Sequence, residues 1–164
     1  MSAPSLGPGQ TRPGTNLASP GTAILPPAAS AKASCRPTDQ DRYVYSPDRL
    51  SVQMACVRVT GVVDAVVKKP DGDLHILVHL DPAYSYLLTP ANQGAPVPGD
   101  LVVEAVCVGT TNRLAPEAAC TSDPDPLHPP FPVVGERVWM EGQYVFDLEH
   151  AGWAELHPLF RWGP

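Results

Sequence analysis

Long apolar runs are missing from this sequence, and so is an excess of basic residues. No apolar stretch approaches the roughly 18 residues that a membrane-spanning helix needs. The 164-residue chain has 11 Lys and Arg against 17 Asp and Glu, which is the wrong balance for a protein that binds by neutralising phosphates. The sequence therefore predicts no membrane span and disfavours nucleic acid as a partner.

Motifs for nucleophilic catalysis and for zinc ribbons are also missing. There is no G-x-S-x-G motif, and the four cysteines form no C-x-x-C pair. An even number of cysteines fits two disulfides in an oxidising compartment, with four reduced thiols as the alternative. Of the three possible pairings we favour Cys107–Cys120, which closes the loop after a predicted strand, and Cys35–Cys56, which joins the start of the folded part to the first strand.

The beginning of the sequence lacks a basic region followed by 7 to 15 apolar residues, so it shows no secretory signal. Residues 1–34 contain 6 Pro, 4 Gly, 7 Ala and 5 Ser and cannot bury enough apolar surface to offset the entropy of ordering. We predict a disordered linker or tether over 1–34 and one domain over 35–164. With the predicted disulfides, this organisation favours an extracytoplasmic or secreted protein whose leader is absent from the sequence.

Alternating, Val-rich runs separated by Gly, Pro and Asp predict an all-β domain. The five predicted strands cover residues 52–68, 74–80, 101–108, 136–147 and 153–162. In the first strand one face would carry Val57, Val59, Gly61, Val63, Ala65 and Val67, and the glycine suggests a bulge or bend.

The connections between the predicted strands narrow the choice of fold. A short helical turn is expected at 83–88, within the long 81–100 segment, and a short helix near 114–119, between the third and fourth strands. This order is typical of a five-stranded Greek-key barrel, the OB-fold. A small β-sandwich is the alternative, although it usually needs about seven strands.

Three short motifs carry a family resemblance. They are DGDLHI at residues 71–76, VVE at residues 102–104 and HAGWAELHP at residues 150–158. Over roughly residues 55–162 the chain resembles a group of small, mostly uncharacterised bacterial OB-like domains. The resemblance implies an OB-like fold and a recurring polar set, but no particular activity.

The polar residues of these motifs are candidate metal ligands. Glu155 and His157 are two residues apart on a predicted strand, so they share a face about 6.5 to 7 Å apart at the backbone. His75 and Glu104 would lie on neighbouring strands, and His150 precedes Glu155 in a turn. Together they suit Zn²⁺ or another divalent metal. A structural hydrogen-bond network and a metal-free acid/base pair are the alternatives.

The favoured function is a non-catalytic, extracytoplasmic OB-like domain that recognises an unidentified ligand or protein partner. Recognition would use the 81–100 loop and the His/Glu face, with Tyr84, Tyr86 and Trp153 stacking on the ligand. One alternative is a small metal-dependent hydrolase of phosphodiesters or esters, with Glu155 or Glu104 as general base. Binding of single-stranded nucleic acid on the aromatic residues is the other.

Overall fold

The computed structural model describes residues 30–31, 44–121 and 127–164, so the predicted linker lies almost entirely outside the described residues. The chain is mostly β, as predicted, with few helices. Its five longer strands are β1 (Leu50–Lys68), β2 (Leu74–Leu80), β3 (Leu101–Ala105), β4 (Arg137–Asp147) and β5 (Trp153–Gly163). The helices are α1 (Leu114–Thr121) and 3-10 turns at Pro47–Arg49, Pro82–Leu87 and Pro90–Gln93. Among the described helices, none is both long and apolar enough to cross a membrane.

The five strands form one mixed sheet. They pair in the order β5–β3–β2–β1–β4, and β5 also pairs with β4. The pairing of β3 with β5 is parallel, whereas the other pairings among the five strands are antiparallel. A two-residue strand, Ser30–Ala31, adds to β5 opposite Trp162 and Arg161.

The main hydrophobic core lies on one face of this sheet. Alternate residues of β2, from Leu74 to Leu80, are buried there as the sequence pattern predicts, and they pack with Val59 and Val63 of β1. A smaller cluster of Val44, Leu50 and Val145 belongs to the opposite face. Residues 44–50 therefore cover part of the sheet that the main core leaves uncovered.

A β-bulge changes which residues of β1 face the core. The register of β1 against β2 shifts between Val63 and Ala65, and one extra residue reverses the alternation of faces. Val66 therefore packs on the core, whereas Val67 is 47% exposed. The predicted continuous apolar face through Val67 is wrong beyond Val63.

Gly61 is required by close packing between strands and not by a bulge, since it pairs in register with Leu80 and Val138. A Cβ at this position would overlap the carbonyl oxygen of His79 and lie 2.7 Å from Val78 Cγ1. We expect Gly61→Ala to lower the free energy of unfolding by about 1–3 kcal/mol, the usual cost of overpacking. Urea denaturation measures this loss.

Gly94→Ala is the matched control, because a Cβ at Gly94 meets nothing within 4 Å. Its free energy of unfolding should change by less than about 0.5 kcal/mol. Equal losses of unfolding free energy in Gly61→Ala and Gly94→Ala would show that close packing at Gly61 does not cause the destabilisation.

The third strand is shorter than predicted, because the chain turns after Ala105 and Cys107 adopts a positive φ of 61°. The turn brings Cys107 to Cys120 at the end of α1, and the predicted disulfide between them is confirmed. The bond is compatible with an oxidising compartment. The other predicted pair, Cys35–Cys56, stays a prediction because Cys35 lies outside the described residues.

Candidate functional site

A buried polar cluster occupies the sheet face opposite the main core. Val103 of β3 and Leu156 of β5 point into the core, so Glu104, Glu155 and His157 take the other face by alternation. None of these three polar side chains is more than 3% exposed. Glu104, Glu155 and His157 therefore form a buried polar cluster on this face of the sheet.

A chain of hydrogen bonds connects four of the five predicted residues. His75 and Glu104 are register partners on β2 and β3, and His75 Nε2 lies 2.8 Å from Glu104 Oε1. The other carboxylate oxygen, Glu104 Oε2, lies 3.0 Å from His157 Nδ1. His157 Nδ1 is also 3.3 Å from Glu155 Oε2. Glu104 is thus held between two imidazoles, and His157 between two carboxylates.

Mutual attraction overcomes the penalty of burial in this cluster. Burial by itself raises the pKa of Glu104, but the charge of His157 and the hydrogen bond from His75 outweigh it, so the pKa lies below its usual range. Burial lowers the pKa of His157, but Glu104 and Glu155 together raise it above the ordinary value. Both pKa shifts favour the charged forms, an ionised Glu104 beside a protonated His157.

Sequence reasoning missed two further residues, Asp147 and Arg49, which extend the buried polar cluster. We call the cluster together with Asp147, Arg49 and His150 the polar layer. His150, the fifth predicted residue, places Nδ1 2.7 Å from Asp147 Oδ2, and Arg49 Nη1 donates to the same oxygen. Asp147 Oδ1 accepts the backbone N–H of Glu149 at 2.8 Å. An Asp at the end of a strand before a turn is a recognisable signal, whereas Arg49 is 98 residues away along the chain and gives none.

Two overlapping groups within the polar layer could hold a metal ion. Glu104, Glu155 and His157 each offer a ligand atom within 4.8 Å of the others, and Asp147, His150 and Glu155 do the same. His75 belongs to neither group and contacts Glu104. A third such group, formed by Asp64, His79 and Asp100, lies elsewhere and is largely exposed.

The DGD motif forms the turn between β1 and β2. Asp71 Oδ1 accepts the backbone N–H of Asp73 at 3.2 Å, and Asp73 Oδ1 accepts that of Cys107 at 2.8 Å. Burial raises the pKa of Asp73 to about 6, although the hydrogen bond from Cys107 opposes the shift. Asp73 is therefore a buried carboxyl group that fastens the turn to the chain after β3.

A cleft of about 200 Å³ opens beside the polar cluster. It lies between the β1–β2 turn and the β4–β5 turn, and its floor includes His75 and Glu104. Except for Pro70, every lining residue carries a polar side chain. The others are Tyr45, Arg49, Lys69, Asp71, Arg113, Glu149 and His150.

The three predicted aromatic contacts have different surroundings. Tyr84 is partly buried against the main core, whereas Tyr86 is 75% exposed. The Trp153 ring stacks on that of His150, with centroids 4.4 Å apart and planes 16° apart. Tyr86 is thus accessible to a partner, Tyr84 is a packing residue, and Trp153 supports His150 at the edge of the cleft.

The 81–100 segment is fastened to the sheet by buried Asn92. The Asn92 side-chain amide donates to the carbonyl oxygens of Asp100 at 3.0 Å and Ala154 at 3.1 Å. Its side-chain oxygen accepts the N–H of Ala154 at 2.9 Å, and Thr89 Oγ1 donates to the Gly152 carbonyl at 2.8 Å. These bonds fix the segment against β5 and the β4–β5 turn.

Comparison with protein-family models gives no match to this chain. The curated proteins and the solved structures give none either. The resemblance to bacterial OB-like domains therefore stays a prediction, and function is argued from the site.

Proposed function

We propose that the chain is an extracytoplasmic, OB-like binding domain. The order β1–β2–β3–β5–β4, with β4 and β5 also paired and β3 parallel to β5, supports a five-stranded Greek-key barrel. The Cys107–Cys120 disulfide supports an extracytoplasmic, oxidising compartment.

The observation that carries the binding proposal is the position of the polar cleft. OB-folds bind ligands with the second and third strands and with the loops after strands one and four. In this chain those elements supply His75, Glu104 and the two turns that border the cleft. We therefore place recognition in the cleft and not along the 81–100 segment, whose backbone Asn92 fixes to the sheet.

The cleft suits a small anionic group such as phosphate. Its volume of about 200 Å³ is below the roughly 300–1,000 Å³ of pockets for drug-sized ligands. Arg49, Lys69 and Arg113 line it together with three carboxylates, those of Asp71, Glu104 and Glu149. The cationic side chains are the donors that make strong hydrogen bonds to phosphate oxygens. The same chemistry fits inorganic phosphate or the phosphate group of a larger molecule.

A larger cavity of about 560 Å³ is less suited to such a ligand. It lies on the other side of the β1–β2 turn and is lined mainly by apolar groups, among them Val66, Val108 and Phe131. The buried His/Glu residues do not line it. It offers no set of convergent polar groups comparable to that of the smaller cleft.

Titration of ¹⁵N-labelled, chelator-treated protein with inorganic phosphate tests the proposal. We expect saturable shifts of the amide signals of residues 69–73 and 148–152. Lys69→Ala should weaken binding by about tenfold or more, because a hydrogen bond to a charged group contributes roughly 1.5–3 kcal/mol. Lys68→Ala is the matched control, since Lys68 lines the larger cavity and not the cleft.

Two outcomes would overturn the phosphate proposal. One is an absence of saturable amide shifts in these two turns. The other is an equal loss of phosphate affinity in Lys69→Ala and Lys68→Ala. Separate arms with a sugar phosphate and a short oligothymidylate distinguish the source of the phosphate. Tight oligothymidylate binding that shifts signals around Tyr86 would favour the single-stranded nucleic acid alternative instead.

A metal-dependent hydrolase is the second candidate. It is favoured because Glu104 both lines the cleft and belongs to a possible metal-binding group. Of the two predicted general bases, Glu104 reaches the cleft, whereas Glu155 is fully buried. This function requires a metal ion with an exchangeable water, so phosphodiester hydrolysis that survives chelation would exclude it.

A further inference from the structure

We propose that Glu104, Glu155 and His157 bind one divalent transition-metal ion of the Zn²⁺ class beneath the cleft. The three residues come from β3 and β5, whose parallel pairing sets Val102 opposite Glu155. Each offers a ligand atom within 4.8 Å of the others. The site does not depend on the phosphate proposal, because the anion would bind to the basic residues of the cleft.

The distances between these atoms are close to those of a metal site. Zn²⁺ binds nitrogen and oxygen ligands at about 2.0–2.2 Å, so neighbouring ligand atoms in a tetrahedral site are roughly 3.3–3.5 Å apart. His157 Nδ1 is 3.0 Å from Glu104 Oε2 and 3.3 Å from Glu155 Oε2. Both distances are within a few tenths of an ångström of that spacing, and the ligand atoms of Glu104 and Glu155 lie within 4.8 Å of each other.

A buried oxygen at this site lacks a hydrogen-bond partner. Glu155 is fully buried, and among the described residues its Oε1 atom accepts no hydrogen bond. Its other oxygen already faces His157. Buried side-chain polar atoms in folded proteins have a partner in the large majority of cases, and a metal ion would supply one here.

The charges in the polar layer also favour a cation. Glu104, Glu155 and Asp147 are buried carboxylates, and Arg49 is already engaged by Asp147. Buried charges are normally paired or coordinate metals. A divalent ion would compensate the carboxylates more fully than a single proton shared through His157.

The other two possible groups are weaker candidates. In the group of Asp147, His150 and Glu155, the Asp147 carboxylate already accepts from Arg49 and from the N–H of Glu149, and His150 is exposed. Two members of the Asp64, His79 and Asp100 group are also exposed. The fully buried group is the one whose ligands are shielded from water.

The test is a Zn²⁺ titration of full-length, metal-free protein by calorimetry, with the bound metal counted by mass spectrometry after excess is removed. We expect about one equivalent per chain. Glu155→Gln and His157→Gln should each weaken binding by more than the roughly 10- to 100-fold that outer-shell partners contribute. His150→Ala and His79→Ala should keep wild-type affinity, because each belongs to a rejected group.

Near-ultraviolet circular dichroism of each metal-free variant verifies folding, and the nearly isosteric Glu155→Gln protects against a variant that does not fold. Mg²⁺ should bind far more weakly than Zn²⁺, since imidazole is a poor ligand for it. Failure of the wild type to retain Zn²⁺ would overturn the site. Loss of Zn²⁺ binding in His150→Ala or His79→Ala would overturn the proposed ligands and assign the ion to one of the other two groups. Equal affinity for Mg²⁺ and Zn²⁺ would overturn the assignment to a transition metal.

Discussion

Replacing Arg49 by Met is expected to lower the free energy of unfolding by about 3–5 kcal/mol, because it leaves a buried carboxylate without its cationic partner. The Arg49 side chain is 9% exposed and that of Asp147 is fully buried. Asp147 would keep the N–H of Glu149 and the imidazole of His150, but no guanidinium. Chemical denaturation of the metal-free protein at neutral pH measures the loss.

Arg58→Met is the matched control. Arg58 also donates to a carboxylate, that of Glu141, at 2.8 Å, but its side chain is 38% exposed and Arg161 binds the same carboxylate. An exposed ion pair contributes between about 0 and 1 kcal/mol, so the control should lose about 1 kcal/mol. Similar losses of unfolding free energy in Arg49→Met and Arg58→Met would contradict burial as the cause of the large effect at Arg49.

A double variant separates unpaired charge from lost packing. Asp147→Asn removes the charge but keeps an oxygen that can accept the N–H of Glu149. If the unpaired carboxylate causes the loss, adding Asp147→Asn to Arg49→Met should recover part of it. A double variant no more stable than Arg49→Met would assign the loss to packing.

The second large effect is a gain in stability from Asp73→Asn. Burial raises the pKa of Asp73 in the folded protein to about 6, about two units above that of the unfolded chain. Between pH 4 and 6 the folded state binds more protons than the unfolded state, so stability falls as pH rises through this window. Above pH 6 the ionised, buried carboxylate costs about 3 kcal/mol.

An asparagine in place of Asp73 would avoid this cost, because its amide is neutral and its oxygen can still accept the N–H of Cys107. Asp73→Asn should therefore raise the free energy of unfolding by up to about 3 kcal/mol at pH 7 and by almost nothing at pH 3.5. Denaturation of chelator-treated wild type and variant across pH 3.5–7.5 measures the difference. A gain that is the same at every pH would contradict titration of Asp73 as its cause.

Asp71→Asn is the control for the turn itself. Asp71 also accepts a backbone N–H of the turn, that of Asp73, so its replacement tests the effect of an Asp-to-Asn change in the same turn. In Asp71→Asn the free energy of unfolding should still fall between pH 4 and pH 6, as it does in the wild type. If Asp71→Asn removes that fall as fully as Asp73→Asn does, the assignment to Asp73 is wrong.

The sequence by itself determined that the chain is mostly β, which face of β2 is buried and where the turn between β1 and β2 lies. Alternation over 74–80 predicts β2 and its buried face correctly, and the Asp-Gly turn after Lys68 predicts the hairpin that joins β1 to β2. The spacing of Glu155 and His157 also predicts that they share a face. These features are local, since side-chain direction in a strand and turn chemistry depend on neighbouring residues.

The tertiary structure alone decided which residues surround the polar site and how deeply it is buried. Arg49 and Asp147 meet through the pairing of β1 with β4, and nothing in either local sequence specifies that contact. The bulge after Val63 reverses the faces of β1, because the partner strand sets where an extra residue is accommodated. Burial of Glu104, Glu155 and His157 likewise depends on the pairing of β3 with β2 and with β5, because the contacts that bury a charge come from distant parts of the chain.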